Sequence, residues 1–214
     1  MAQSLGLDLR NRSLRYADFE SAWLPNVEFC GSDLQNARFT HAELAEADFS
    51  CLEVSAQNKP TAISSRALKK CTDLTGANFI AANRTGSDLL RATLTAAKLS
   101  GANLTGVNFL KANLTCANFR NANLIGADLQ KTNLTRANFR AANLTGVDLN
   151  QTTLYGVNFQ IVKLISARPT NAVIKGANFQ DADLRIKRVE RAAVIGSTGS
   201  KIFRIPPSRT ARQA

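Results

Sequence analysis

The chain has 214 residues, a formal net charge of +11, four cysteines and a single histidine. The cysteines show no CxxC motif and no metal-ligand spacing, so neither a zinc site nor a disulfide framework is supported, and we expect free thiols in a cytoplasmic protein. One histidine and no repeated cluster of His, Cys and Asp leave no means of pairing a nucleophile with a base. We therefore expect no enzymatic activity, no metal and no cofactor.

Residues 1–6 form a short leader without the features of a signal peptide, and no apolar segment approaches membrane-spanning length. From Leu9 to Val194, a large apolar residue then recurs every five positions. Of 38 such positions, 33 hold Leu, Ile, Val or Phe, and a small residue usually stands two places earlier. A period of five fits neither a helix nor an alternating strand, and it predicts a solenoid in which both residues point inwards.

The run GANLTGVNFLKANLTCANFR at residues 101–120 shows the pattern. It resembles the pentapeptide-repeat family, with its consensus A-(D/N)-L-x-x, and the resemblance covers about residues 7 to 194. It implies an all-β fold, a right-handed quadrilateral parallel β-helix with four pentads in each 20-residue coil. Residues 7–194 would then form one domain of about nine coils, a rod about 45 Å long. Side chains should fill its interior and leave no ligand cavity.

The phenylalanines are consistent with a period of 20. Phe29, Phe49 and Phe109 share one column, and a second column lies ten residues away, on what should be the opposite wall. Each ring is expected to stack on the next coil at about 4.8 Å. The second column is the predicted structural core: Phe19, Phe39, Phe79, Phe119, Phe139, Phe159 and Phe179.

Charge is unevenly distributed along the chain. Residues 1–54 carry nine acids and four arginines, a net charge of −5, and the remainder carries +16. Because residues 20 apart should form ladders, Asp8, Glu28 and Asp48 are a candidate uncompensated acidic strip; a solvated edge without function is the alternative. The opposite charges at the two rod ends also predict weak self-association.

The pattern weakens at residues 55–70. Lys59, Ser64 and Lys69 occupy inward positions there, and burying lysine costs too much free energy, so we expect an irregular coil or a projecting loop. Arg84 falls in the same wall one coil beyond Ser64, so that wall should be distorted as well. The candidate interaction loop comprises Lys59, Arg66, Lys69, Lys70 and Arg84.

Cations dominate the later coils. Pro169 should cause a second, smaller irregularity because it cannot donate to a ladder. Residues 195–214 follow the repeat as a basic tail with little intrinsic order. The candidate basic patch consists of Arg91, Lys111, Lys131, Arg120, Arg136 and Arg140.

Three kinds of partner fit this sequence. We favour a binding scaffold that presents a rigid surface to a protein partner. The alternative is a topoisomerase-binding protein, because the resemblance includes proteins that protect DNA gyrase by imitating duplex DNA, although their strong acidity is absent from the later coils here. A third alternative is an anionic partner, either nucleic acid or a membrane surface; it is less favoured because base-stacking aromatics are missing from the basic coils.

Overall fold

The structure, a computed structural model, describes residues 7–53, 69–186 and 192–199. These residues contain no helix, and most of their pairing consists of isolated parallel bridges between residues 20 apart, such as Asn103 with Asn123. The fold is therefore a parallel β-solenoid with 20 residues in each coil; its right-handed sense remains a prediction. The named strands are β1 (Cys51–Glu53), β2 (Lys69–Cys71), β3 (Thr153–Tyr155), β4 (Val173–Lys175) and β5 (Ala193–Ile195).

The pentad at residues 102–106 shows why the sequence folds this way. Leu104 points inwards and is fully buried. Asn103 points outwards, and its Oδ1 accepts hydrogen bonds from the Thr105 N–H at 3.3 Å and the Thr105 hydroxyl at 2.8 Å. Gly106 then turns the corner with a φ of 66°, which glycine adopts without strain. Nearly every described pentad turns at the same position, including pentads with a side chain there, such as Lys111 at φ 62°.

Four walls enclose the interior, and β3, β4 and β5 lie in one of them. We label the walls by their inward residues in the most regular part of the rod, where all twelve are fully buried. Wall A contains Leu89, Phe109 and Leu129; wall B contains Leu94, Leu114 and Leu134; wall C contains Leu99, Phe119 and Phe139; and wall D contains Leu104, Leu124 and Leu144.

The two predicted phenylalanine columns are confirmed. Phe119 and Phe139 stack in wall C, with ring centroids 4.6 Å apart and planes 1° apart. Phe109, in wall A, meets the edge of Phe119 across the interior, with a centroid distance of 6.1 Å and an interplanar angle of 89°. The columns thus face each other from opposite walls and fill the interior between them. Phe19, in the first coil, is half-buried.

One segment of 20 residues leaves this stack. Asp33 pairs with Asp73 and Asp48 pairs with Asp88, although 40 residues separate the partners in each pair. Residues 52–71 therefore contribute no coil to the ladder, and residues 54–68 lie outside the described residues. The described ends of this 20-residue segment form an antiparallel hairpin in which β1 pairs with β2. We call residues 52–71 the insertion.

The insertion removes one coil from the predicted number of about nine. The described part of the repeat contains eight complete coils, and residues 192–199 continue into a ninth. Coil 1 is residues 7–26, coil 2 is 27–46, coil 3 is 47–51 with 72–86, coil 4 is 87–106, coil 5 is 107–126, coil 6 is 127–146, coil 7 is 147–166 and coil 8 is 167–186.

The expectation of free thiols is wrong for two of the four cysteines. Cys51 and Cys71 form a disulfide at the base of the insertion, while Cys30 is a buried free thiol and Cys116 an exposed one. The reason lies in the repeat. Cys51 and Cys71 are separated by 20 residues, so they share one corner position, and looping out the insertion brings them face to face as a pair of β1 and β2.

Pro169 creates a local packing defect. Its inward side chain is buried in wall A, where the earlier coils carry leucine or phenylalanine. A small apolar cavity surrounds it in coils 7 and 8, next to Leu149, Phe159 and Ile174. The interior is therefore not completely filled at this end, contrary to expectation.

No described segment is a helix of the length and apolarity that crossing a bilayer requires.

Candidate interaction surfaces

The insertion leaves the rod at the corner between walls A and B. Thr72 is fully buried there. Its hydroxyl accepts a hydrogen bond from the Gly31 N–H at 2.9 Å and lies 2.9 Å from the Ser50 carbonyl oxygen, to which it can donate. A threonine at an inward position that usually holds alanine thus satisfies polar backbone groups where the ladder is interrupted. The exit of the insertion is consequently a structured junction.

The predicted interaction loop is only partly described. Lys59 and Arg66 lie outside the described residues. Lys69 begins β2. Lys70 is exposed on the same strand, and its Nζ donates a hydrogen bond to Asn11 Oδ1 in coil 1.

Arg84 does not belong to this surface, which corrects the prediction. Its side chain is fully buried, with the guanidinium carbon 4.0 Å from the ring centroid of Phe79 and 4.3 Å from that of Phe49. The wall around it is regular rather than distorted, since the Arg84 N–H donates to the Asn103 carbonyl at 2.8 Å. The intact ladder fixes the residue in its inward position, so the side chain has no route to the surface.

Burial strongly perturbs this guanidinium. None of its three guanidinium nitrogen atoms has a hydrogen-bond partner among the described residues, and desolvation lowers the pKa of Arg84 to about 9. Contact with two aromatic faces recovers part of the lost solvation by cation–π attraction. Arg84 is therefore a destabilising core residue in coil 3, the coil that the insertion interrupts.

The acidic strip forms the predicted ladder but is not uncompensated. Asp8, Glu28, Asp48 and Asp88 are bridged in succession. Arg10 forms ion pairs with Asp8 at 2.8 Å and with Glu28 at 3.0 Å, and its hydrogen bonds lower the pKa of Asp8 to about 2. Arg10 was not predicted from the sequence as the partner of Asp8, although a residue two positions after an outward side chain emerges on the same face of a strand.

Further along the same ladder, Asp48 and Asp88 form no ion pair with any described residue. Partial burial is the main cause of the raised pKa of Asp88, and the neighbouring Asp48 charge adds to it. The Asn108 amide donates a hydrogen bond to Asp88 at 3.0 Å. The uncompensated part of the acidic strip is therefore displaced from coils 1 and 2 to coils 3 and 4.

The six residues of the basic patch form two groups, on either side of wall B. Arg91, Lys111 and Lys131 line the corner between walls A and B in coils 4, 5 and 6, and all three are exposed. Arg120 and Arg140 project from wall C, and Arg136 stands at the corner between walls B and C. Lys98 extends this second group and was missed, although it stands 20 residues before the outward Asn118.

Wall B lies between these two groups of cations. Its outward side chains in coils 4 to 6 are uncharged and hydrogen-bond to one another, as when the Thr115 hydroxyl donates to Asn113 Oδ1 at 2.7 Å. These outward residues of wall B in coils 4 to 6 are Thr93, Thr95, Asn113, Thr115, Asn133 and Thr135.

Among the described residues, no group of three or more His, Cys, Asp or Glu side chains has the geometry to hold a metal ion.

Comparison with known proteins explains the regularity of these surfaces. The family profile described as pentapeptide repeats matches the chain in eight copies, over residues 13–50, 72–109, 112–151 and 153–185. The chain belongs to the pentapeptide repeat family. The family match stops at residue 50 and resumes at residue 72, so its first gap coincides with the insertion.

Solved pentapeptide repeat proteins show similar structures. Full-length QnrB1, described as a plasmid-mediated fluoroquinolone resistance protein, is 14% identical with a TM-score of 0.50, covering 88% of this chain and 92% of QnrB1. A protein from the cyanobacterium Cyanothece is 31% identical over 58% of this chain and 85% of its own, with a TM-score of 0.42. One from the Arabidopsis thaliana thylakoid lumen is 26% identical over 67% and 69%, with a TM-score of 0.35.

The likeness to QnrB1 shows a shared fold only. A search of curated proteins found no match. What distinguishes this pentapeptide repeat protein therefore has to be sought in its own surface, in the insertion and in the arrangement of its charges.

Proposed function

We propose that this protein is a non-enzymatic binding scaffold that presents a rigid β-helical surface to a protein partner, with the insertion supplying the specific contact. One observation carries the proposal: residues 52–71 leave the stack, yet the ladder continues in register on both sides of them, from Asp33 to Asp73. A segment that the fold does not need for its own pairing is free to serve recognition.

The base of the insertion is held more firmly than a simple loop would be. The Cys51–Cys71 disulfide, the pairing of β1 with β2 and the buried Thr72 hydroxyl all fix the point at which the segment leaves the corner. Fixing that point lowers the conformational entropy that a partner must remove on binding. The arrangement supports recognition by a defined element on a stiff rod.

DNA gyrase is the second candidate partner. It is favoured by the family, because some pentapeptide repeat proteins protect gyrase by imitating duplex DNA, and by the carboxylates of Asp48 and Asp88, which are adjacent in the ladder and form no ion pair with described residues. Purified gyrase offers a direct test. Binding of gyrase by the full chain, and its loss on Asp48→Asn/Asp88→Asn substitution, would support this candidate, whereas no binding at micromolar concentration would remove it.

The scaffold proposal is tested by deleting residues 52–71. The Cα atoms of Cys51 and Cys71 lie 3.8 Å apart, so joining residue 51 to residue 72 requires little backbone movement. We expect the shortened chain to keep the denaturant midpoint of the full chain and to lose the partner that cross-linking and mass spectrometry identify for the full chain.

Deletion of residues 107–126 is the matched control. It removes the same number of residues as one regular coil and leaves the insertion in place. This variant should lose stability, because a solenoid is stabilised by contacts between neighbouring coils, but should keep the partner. If deletion of the insertion leaves the set of cross-linked partners unchanged, the proposal is wrong.

A further inference from the structure

A second surface lies on the opposite side of the insertion junction from the acidic coils. We propose that the cations of coils 4 to 6 bind the phosphate backbone of duplex nucleic acid without reading its sequence. This inference goes beyond the proposed scaffold function, which concerns the insertion. The residues of this duplex-binding surface are Arg91, Lys98, Lys111, Arg120, Lys131, Arg136 and Arg140.

Coils 4 to 6 carry a large excess of positive charge. Residues 87–146 contain seven cations and two acids, Asp88 and Asp128, which both lie in wall A. None of the seven cations forms an ion pair with a described residue, whereas in coils 1 and 2 the side chains of Arg10, Arg15 and Arg38 all do. A cation without a carboxylate partner is available for phosphate, and the release of counterions from the duplex favours its binding.

Three of these cations stand in a regular row. Arg91, Lys111 and Lys131 follow one another along a corner at the spacing of successive coils, about 4.8 Å. Their backbone N–H groups donate to the next coil at 3.0, 3.0 and 2.9 Å, so the ladder fixes the positions from which the side chains project. A straight, rigid row of cations suits a stiff polyanion because neither partner has to be ordered or bent on contact.

The uncharged wall between the two groups of cations adds hydrogen-bonding capacity. Asn133 is exposed on wall B, and its amide nitrogen donates to no described acceptor. Arg136 and Arg140 lie beyond it, towards wall C. Side-chain amides and hydroxyls between cations are typical of contacts with phosphate and sugar, which position a protein on the duplex without specifying sequence.

Duplex is favoured over single-stranded nucleic acid because coils 4 to 6 expose no aromatic ring. Their phenylalanines, Phe109, Phe119 and Phe139, are fully buried. Proteins that bind single strands stack the bases on exposed aromatic side chains, which this surface lacks. Among described residues, the exposed aromatics are Tyr16, Trp23 and Tyr155, all outside these three coils.

Fluorescence anisotropy with a labelled 20-base-pair DNA duplex tests the proposal, in a salt series from about 50 to 200 mM. The test variant is Lys111→Asn/Lys131→Asn. Asparagine suits these corners, because Asn11 and Asn171 occupy the same column with a φ of 56°. The control variant Lys163→Asn/Arg168→Asn removes the same charge from walls D and A. Circular dichroism should show that both variants fold.

We expect the test variant to bind the duplex roughly tenfold or more weakly at 100 mM salt, with the slope of log K against log salt reduced by about two. The control should resemble the wild type. Equal losses in the two variants would overturn the proposal, because binding would then reflect net charge alone. Tighter binding of a single strand, or of anionic lipid vesicles, than of the duplex would also overturn it.

This result is separable from that for the scaffold. Deletion of the insertion should leave the effect of Lys111→Asn/Lys131→Asn on duplex binding unchanged, and the latter substitutions should leave the protein partner bound. Failure of one inference therefore leaves the other standing.

Discussion

The first two coils have the same backbone structure as coils 4 to 6, but the two regions differ in whether their charged side chains form ion pairs. In the first two coils, three of the four arginines form ion pairs with carboxylates, as Arg38 does with Asp18 at 2.7 Å and with Glu20. In coils 4 to 6, cations such as Lys111 and Arg120 form no ion pair with described residues. The repeat fixes where outward side chains stand without fixing which residues fill those positions, so paired and unpaired charge can coexist on one rod.

The interior differs between the same two regions, and Phe139→Ala should have the largest effect. Phe139 is fully buried and stacks at 4.6 Å on Phe119 and at 5.4 Å on Phe159. Its truncation should cost about 3 to 5 kcal/mol of unfolding free energy, measured in denaturant. Phe19→Ala should cost clearly less, because that ring is half-buried in coil 1.

Asn143→Ala is the surface control for this experiment. Asn143 points outwards and accepts hydrogen bonds from the Thr145 N–H and hydroxyl. Losing them should cost about 1 kcal/mol. Equal denaturant midpoints for Phe139→Ala and Asn143→Ala would contradict the inward and outward assignment.

Arg84→Leu should stabilise the protein, by about 1 to 4 kcal/mol, because it replaces a buried charge without hydrogen bonds by the residue found at Leu44 and Leu104 in the same wall. Arg120→Leu, an exposed position in the unpaired region, should change stability by less than about 0.5 kcal/mol. A destabilised Arg84→Leu protein would mean that the guanidinium makes a stabilising contact.

The lowered pKa of Arg84 predicts how the stability difference between the wild-type protein and Arg84→Leu depends on pH. The folded-state pKa of Arg84 is about 9, below the ordinary arginine value, so above that pH the unfolded chain binds more protons than the folded chain. The stability of the wild-type protein should therefore rise, relative to Arg84→Leu, as pH increases through 9. A stability difference that stays constant between pH 7 and 10.5 would show that Arg84 remains charged.

Much of this arrangement could be predicted from the sequence, because a period of 20 converts spacing directly into position. The Phe119–Phe139 stack and the ladder from Asp8 to Asp48 follow from that arithmetic. The period alone could not show that the insertion leaves the stack, since its length equals one coil and the spacing of the residues on either side is the same in both cases. The polar residues at the inward positions 59, 64 and 69 instead indicated an irregular coil or a projecting loop at residues 55–70.

Two misses have identifiable physical causes. Arg84 falls at an inward position of the repeat, but its wall was expected to distort because Ser64 lies one coil earlier, and the residue was assigned to the interaction loop; the regular ladder instead holds the charge inside. Cys51 and Cys71 carry the signal for their disulfide in their separation of 20 residues. A separation of 20 residues predicts a disulfide only if the segment between the two cysteines contributes no coil to the stack.

The smallest expected effect concerns the paired charges of coil 1. Arg10 hydrogen-bonds to both carboxylate oxygens of Asp8, at 3.0 and 2.8 Å, and holds the pKa of Asp8 at about 2. NMR titration should show the Asp8 carboxyl titrating near pH 2 in the wild-type protein and at a clearly higher pH in Arg10→Ala, although the backbone N–H of residue 10 still donates to Asp8 Oδ1 in that variant.

This pair stabilises the folded state above the unfolded pKa of aspartate, and the contribution is lost as pH falls towards 2. Because both side chains are solvent-exposed, the change in stability should be slight and should vanish in high salt. Arg12→Ala is the matched control, since Arg12 forms no ion pair with a described residue, and it should leave the Asp8 titration close to that of the wild type. An Asp8 pKa that stays near 2 in Arg10→Ala would show that backbone hydrogen bonding, rather than the paired arginine, sets the charge state of this end of the rod.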